Sequence, residues 1–320
     1  MTDNVKCNLP PHPLSGSITG EYWQNDDGSV RVPAILKHPD RYSIVKRDIL
    51  NYKWNPEDFL LLSYPKTGTH FTWEVMNMLL KGTAEYSKQP KEALMMDLFA
   101  LSESSKYFPS PRTINTHYRP DVLPEEFRKA KTVIVLRNPK DACVSWHYHE
   151  VNISANIDPA RRGSLSSLSL SDSIHRFLYD KDVPYGSYFD LTEYMWSLRD
   201  QPNILLIFYE DLKLSPVDTI QKLNEFMGTD LPPEMIQQIA DATEFNKMRN
   251  AKLNFAPSED ALKLMKAQQR DPQLAKKITD KMYRKGKIGD WRNHITVADN
   301  EIFDRFLAEW SGGKDIPFKY

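Results

Sequence analysis

A chain of 320 residues, 40% hydrophobic and 27% charged, holds enough apolar material for a large core, and one domain spanning 1–320 is expected. Lys and Arg number 42 against 43 Asp and Glu, so no global field draws in DNA or an anionic membrane, and any anion must be held by a local arrangement. Two cysteines, Cys7 and Cys143, are too few for a disulfide scaffold. Residues 1–20 are polar and proline-bearing without a signal-peptide pattern, and no run approaches the roughly 20 apolar residues of a membrane span; a cytoplasmic protein with neither nucleic-acid nor membrane partners is expected.

Apolar runs bounded by turn residues predict strands over 58–64, 113–117, 131–137 and 203–210. Two of these, Thr132-Val133-Ile134-Val135-Leu136 and Ile204-Leu205-Leu206-Ile207-Phe208, lack polar alternation, as strands covered on both faces do. Residues 71–80 are apolar nearly all round and stop before Gly82, which predicts a buried helix. Residues 216–227 open on Pro216 and stop before Gly228, which predicts an amphipathic one. Strands alternating with helices imply a three-layer α/β architecture with a central parallel sheet. Residues 151–184 break the rhythm: Arg161-Arg162-Gly163 precedes a serine and leucine alternation to Ser171, and a mobile loop or lid is expected there. Beyond Met235 the chain turns helical and charged, with breaks at Pro257 and Pro272.

Three segments have the chemistry of anion cradles. Tyr64-Pro65-Lys66-Thr67-Gly68-Thr69-His70-Phe71 joins a strand to a helix start, where unpaired N–H groups and the helix dipole attract negative charge and Lys66, Thr67 and Thr69 add donors. Lys66 precedes the only glycine of the loop, the reverse of the nucleoside-triphosphate loop, which places its Lys after a second Gly; a kinase is demoted accordingly. Arg137-Asn138-Pro139-Lys140-Asp141 again follows a strand, with Arg137 suited to a bidentate phosphate contact and Ser145 two helical turns along. In Arg284-Lys285-Gly286-Lys287-Ile288-Gly289-Asp290-Trp291, two glycines let backbone wrap an anion while Arg284 and Lys285 supply charge. Taken singly, the first could be a surface turn, Arg137 could merely neutralise Asp141, and the third could be a solvated charge run.

Together, and in this order, the segments resemble the cytosolic sulfotransferase family. The first is similar to its Tyr-Pro-Lys-Ser-Gly-Thr-Thr-Trp loop, with Thr67 for Ser, His70 for Thr and Phe71 for Trp; the second to Arg-Asn-x-Lys-Asp-x-x-x-Ser; the third to Arg-Lys-Gly-x-x-Gly-Asp-Trp. The resemblance, running from about Asp58 to Arg305, implies a phosphate-binding strand-loop-helix fold and 3′-phosphoadenosine 5′-phosphosulfate as donor, with adenosine 3′,5′-bisphosphate as product. It implies that Lys66, Thr67, Gly68, Thr69, His70 and Phe71 hold the sulfate end. Arg137, Ser145, Arg284, Lys285 and Gly286 would hold the 3′-phosphate, with a Lys66 to Ser145 contact at rest. Phe71, Tyr209, Thr243, Phe245 and Met248 would line the nucleoside, aromatic stacking of a base being favourable by roughly 1 to 3 kcal/mol.

An attacking hydroxyl or amine must lose its proton, and histidine is the usual agent. Ile114-Asn115-Thr116-His117 resembles the family's Lys-Thr-His segment, which implies His117 as base with Asn115 where the family has Lys; Lys66 would offset charge on the leaving phosphate. His70, His147 and His149 are the other candidates near that sheet edge. Tyr185-Gly186-Ser187-Tyr188-Phe189 resembles the family's gate, and with Phe108, Tyr118, Tyr148 and Tyr188 it is expected to wall an acceptor pocket. Arg292, Thr296-Val297 and Glu301 resemble a short homodimer motif. No metal is implied, since no His or Cys set has ligand spacing. The rivals are sulfonation followed by elimination, a non-catalytic nucleotide-binding scaffold and a P-loop kinase.

Overall fold

The computed structural model describes residues 22–24, 31–33, 39–154, 162–180, 185–254, 256–268 and 281–320. Numbering strands in chain order and only helices of nine residues or more, the core elements are β3 (Phe59–Ser63), α2 (Thr69–Lys81), β4 (Thr113–Thr116), β5 (Thr132–Leu136), α3 (Pro139–His149) and β6 (Ile204–Phe208). A two-stranded antiparallel ribbon, β1 (Tyr22–Gln24) with β2 (Arg31–Pro33), and helix α1 (Pro39–Asn51) precede them. The main sheet is parallel throughout in the order β4-β3-β5-β6, with Leu61 opposite Asn115 and Val133.

Alternate side chains of each strand enter different cores, which is why these runs are apolar without alternation. Leu61, Val133, Val135 and Ile207 meet α2 together with α6 (Pro216–Met227) and α7 (Pro233–Ala242). Leu62, Ile134, Leu136 and Phe208 meet α3, α4 (Leu170–Tyr179), α5 (Tyr188–Ser197) and α10 (Val297–Glu309) on the opposite face. Between α7 and α10 lie α8 (Phe245–Leu253) and α9 (Glu259–Ala267). The result is the expected three-layer α/β arrangement with a central parallel sheet.

Each strand ends one or two residues before its apolar run, because the residues at its carboxyl end leave the sheet for the turn that follows. Helix α2 is nearly buried all round and pinned to β4 by Trp73, whose indole N–H donates to the Thr113 carbonyl at 3.0 Å. Gly82 ends it with φ at 60°, its N–H reaching the Leu79 carbonyl. The buried Arg112 guanidinium donates to Asp58 at 3.0 Å and ties the entry to β3 to the entry to β4.

The 151–184 segment differs from an open loop where it is described. Ser169 and Asp172 form a reciprocal cap, and Ile174, Phe177 and Leu178 at helical spacing bury α4 against Tyr64, Tyr188 and Phe303. The serine and leucine alternation hid this, since it mimics period two while the buried residues follow the helix. Residues 155–161 and 181–184 of that segment lie outside the described residues, as do Pro272 and Cys7; Cys143 is a buried free thiol. Among the described residues no helix is long and apolar enough to cross a membrane, and no cluster of His, Cys, Asp and Glu could hold a metal ion.

Candidate functional site

The four parallel strands deliver the singled-out residues to one edge. The Lys66 turn follows β3, His117 follows β4, Arg137 ends β5 and Tyr209 follows β6, all at the carboxyl ends. Because β3 leads to β4 on one side while β5 leads to β6 on the other, β3 and β5 flank a switch point, the crevice where open α/β sheets hold ligands.

The Lys66 turn is shaped by its own backbone. Thr67 N–H and hydroxyl both engage the Tyr64 carbonyl, at 3.3 and 2.7 Å, while Ser63 and Thr69 share a hydroxyl hydrogen bond of 2.7 Å. Thr67 and Thr69 therefore build the loop as well as flank it. Lys66 itself has φ at 72°, in the left-handed region that a non-glycine residue occupies only where surroundings impose it. Gly68 has φ at 114°, and a Cβ there would lie 2.6 Å from the Tyr209 ring, so only glycine fits.

Arg137 joins this turn to β5: its guanidinium donates to the Lys66 carbonyl at 2.9 Å and lies over the Tyr209 ring at 4.5 Å. Its Nε is buried without a hydrogen-bond partner, an orphan donor that an anion would satisfy. Asp141 does not neutralise this cation. Its two oxygens instead accept the backbone N–H groups of Gly289, at 2.7 Å, and Trp291, at 3.0 Å, so the second motif holds the third in place. Asn138 caps α3 and accepts the Lys140 N–H at 2.8 Å.

In the third motif Arg284 and Lys285 both bond the buried Asp290, at 2.9 and 3.0 Å. Against the upward push of burial, hydrogen bonds from Lys285, Asn293 and Arg284 hold that carboxyl well below the usual range. Gly286 lies so close to Phe245 that a Cβ would come within 2.1 Å of its ring. Phe245 and Phe71 face a shared space: the Lys213 ammonium is 5.8 Å from one ring centroid and 5.5 Å from the other. Lys66 feels all of this charge; burial first, then Arg137, Lys91 and Arg284, lower its pKa to about 8.

His117 is buried beside the same turn. A ring nitrogen bonded to a carbonyl must carry the proton, and Nδ1 lies 2.6 Å from the Ser63 carbonyl, so in the neutral ring Nε2 keeps the lone pair. Burial first, then Lys91, lower its pKa to about 3, so the ring is neutral near pH 7. Its backbone N–H donates to Asp97 at 2.8 Å, Thr116 bonds the same carboxylate, and the Tyr185 ring stands edge-on at 5.1 Å. The other histidines are engaged differently: His70 bonds Glu92 at 2.8 Å, His147 bonds Ser173 at 2.8 Å, and His149 stacks on Trp146.

Not every expected residue meets this centre. Tyr118 approaches through its 6.4 Å contact with Tyr185. Tyr148, however, lies under Arg284 and bonds His294 at 3.1 Å, beside the third motif; Tyr188 is a core residue whose hydroxyl donates to the Arg137 carbonyl; Phe108 packs with Ala93, Leu94 and Leu264 in a separate cluster. The Thr243 hydroxyl donates to the Ile239 carbonyl at 2.9 Å, and Met248 is core. Ser145 is half-buried on α3, and the Lys66 ammonium has no hydrogen-bond partner among the described residues, so their expected contact is not made. Asn115 is wholly buried and bonded to Lys91. Lys91, Asp97 and His294 carry no motif signal; only the Lys91-Glu92 charge pair ahead of an apolar run hinted at a buried charge.

The family model described as a sulfotransferase domain matches residues 56–315. The chain is 30% identical over 287 residues to sulfotransferase 1E1 of Bos taurus, covering 85% of this chain and 89% of that one. It is 32% identical over 283 residues to sulfotransferase 1A1 of Mus musculus, covering 84% and 89%. Among solved structures, mouse sulfotransferase SULT7A1 complexed with PAP superposes with a TM-score of 0.67 at 25% identity, over 92% of this chain and 96% of that chain.

If Asp141 anchors the third motif, Asp141→Ala should speed amide hydrogen exchange at Gly289 and Trp291 by about 10- to 100-fold, since a hydrogen bond to a charged group contributes roughly 1.5 to 3 kcal/mol. Unchanged protection at both amides would remove Asp141 from that role.

Proposed function

The chain belongs to the sulfotransferase family, and we propose that it moves a sulfonate group from 3′-phosphoadenosine 5′-phosphosulfate to a hydroxyl or amine of a small-molecule acceptor. What supports this best is the hydrogen-bonded chain from the Lys66 turn through Arg137 and Asp141 to Gly289, which gathers three cationic stretches at one sheet edge. A donor phosphorylated at both ends of its nucleoside suits that spread, and the orphan Arg137 Nε and the glycine-limited approaches at Gly68 and Gly286 fit such a group.

When bound, the donor supplies an activated sulfonate whose S–O bond to the 5′-phosphate breaks during transfer. Lys66 would face that phosphate, Arg137 with Arg284, Lys285 and Ser145 the 3′-phosphate, and Phe71 and Phe245 the adenine. His117 takes the acceptor proton on Nε2 while the Ser63 carbonyl fixes its tautomer and Asp97 fixes its backbone. Tyr185 and Tyr118 give the acceptor side an aromatic wall. The chain acts in the cytoplasm on this reading. It pairs as a homodimer through the exposed start of α10, where Thr296 caps the helix and Val297 is 78% exposed.

His117→Ala should lower turnover by about 10² to 10⁴ while leaving adenosine 3′,5′-bisphosphate binding intact, measured with an acceptor drawn from a donor-consumption screen of phenols, steroids, alcohols and amines. Full activity in that variant would exclude His117 as base. The Lys66 charge is present below its pKa of about 8 and lost above it. Calorimetric affinity for the bisphosphate should therefore fall as pH rises through that value, and Lys66→Arg should retain affinity to higher pH because a guanidinium does not titrate there. A flat profile would mean that Lys66 does not face the anion. In solution, Val297→Glu should convert a dimer to a monomer by light scattering; a variant that elutes unchanged would move the interface elsewhere.

A further inference from the structure

Position 115 holds an amide where the resembling motif has an ammonium, yet an ammonium is present from another direction. Lys91, opening the 3₁₀ turn Lys91–Leu94, is 5% exposed, and its Nζ donates to Asn115 Oδ1 at 2.9 Å. The amide is clamped in return: Nδ2 donates to the Lys91 and Leu94 carbonyls at 3.1 and 3.0 Å, so only one orientation satisfies all three bonds. A lysine at 115 would forfeit both carbonyl bonds and set two ammonium groups together. The two positions read as an exchanged pair, cation at 91 and holder at 115.

The clamp sits two residues before His117 on the strand that carries it. Burying an ammonium is unfavourable unless negative charge faces it. The Asp97 carboxylate interacts with the Lys91 ammonium and also holds Thr116 and the His117 N–H, which places Lys91, Asp97 and His117 in one cluster. Lys91 depresses the pKa of His117, His70 and Lys66 alike, which marks how near it stands to the reacting edge.

We propose that Lys91 is the second cation of the transfer centre, held by Asn115 beside His117 and acting with Lys66 on the oxygens of the passing sulfonate. This rests on the sulfotransfer reading above. In the step, the acceptor oxygen or nitrogen bonds sulfur, the S–O bond to the 5′-phosphate breaks with its electron pair on that phosphate, and the acceptor proton goes to His117. Lys91 forms no covalent bond and only offsets charge. The groups facing His117 are Lys66, Lys91, His70 and His149, with Asp97, Tyr118 and Tyr185 opposite and Glu92 behind His70.

The test compares Lys91→Met, Lys91→Arg and the exchanged double variant Lys91→Met with Asn115→Lys in steady-state turnover, calorimetric binding of adenosine 3′,5′-bisphosphate and NMR titration of the His117 imidazole. Lys91→Met should cost about 10²-fold or more in turnover, the scale of losing one charge-stabilising donor. Its affinity for the bisphosphate, which has no sulfonate, should change little, and its imidazole should titrate higher. The arginine and exchanged variants should recover most of the loss. An active wild type whose Lys91→Met variant keeps its turnover overturns the proposal, as does a loss that no variant recovers with the imidazole titration unmoved, which is what a packing role gives. A wild type that transfers sulfonate to nothing overturns the sulfotransfer reading itself, and is told apart because the imidazole shift in Lys91→Met is read without any acceptor.

Discussion

The organising constraint is the crowding of positive charge at one end of the sheet. Lys66, Lys91, Arg137 and Arg284 lie close enough that three of them depress the fourth. Like charges brought together in a partly dry crevice repel strongly, so the fold must hold them against that repulsion. It does so with a few carboxylates and carbonyls placed behind the cations. Asp290 pins Arg284 and Lys285, the Lys66 carbonyl holds Arg137, and Asp141 fastens the Gly289 turn to α3. The outer side of that arrangement keeps its positive potential for a ligand.

The same crowding sets the chemistry at His117. Held away from water and beside Lys91 and Lys66, its ring resists taking a proton, and its pKa is lowered to about 3. On the proposed reading, an anionic donor in the crevice would lower that positive potential and raise the basicity of the ring, coupling donor binding to base strength through charge. Asp97 contributes by alignment: it bonds the His117 N–H and Thr116, and burial raises its own pKa to about 6.

Much of this was legible along the chain. The Lys66 turn, the Arg137 motif and the Arg284 motif each combine a glycine or a strand end with basic residues, a local signature that survives without tertiary information. The acceptor side was not legible in the same way. Tyr148, Tyr188 and Phe108 are aromatic residues near the right segments, but an aromatic ring serves a core, a cation or a pocket equally well, and packing sends these three to a cation, a core and a distant cluster. Helix α4 was hidden for a related reason, its serines resembling a loop while its buried residues kept helical spacing.

What the sequence alone determined was the four core strands, the buried helix after β3 and the amphipathic helix after β6, and three basic stretches with the chemistry of anion cradles, because period, capping and glycine placement are local properties. Only the tertiary structure decided which distant residues complete the site. Lys91 reaches Asn115 across 24 positions and Asp141 reaches Gly289 across 148, and neither pairing leaves a trace in spacing or periodicity. Such contacts are fixed by how the parallel strands and their crossovers pack, since charge acts through space and not along the chain.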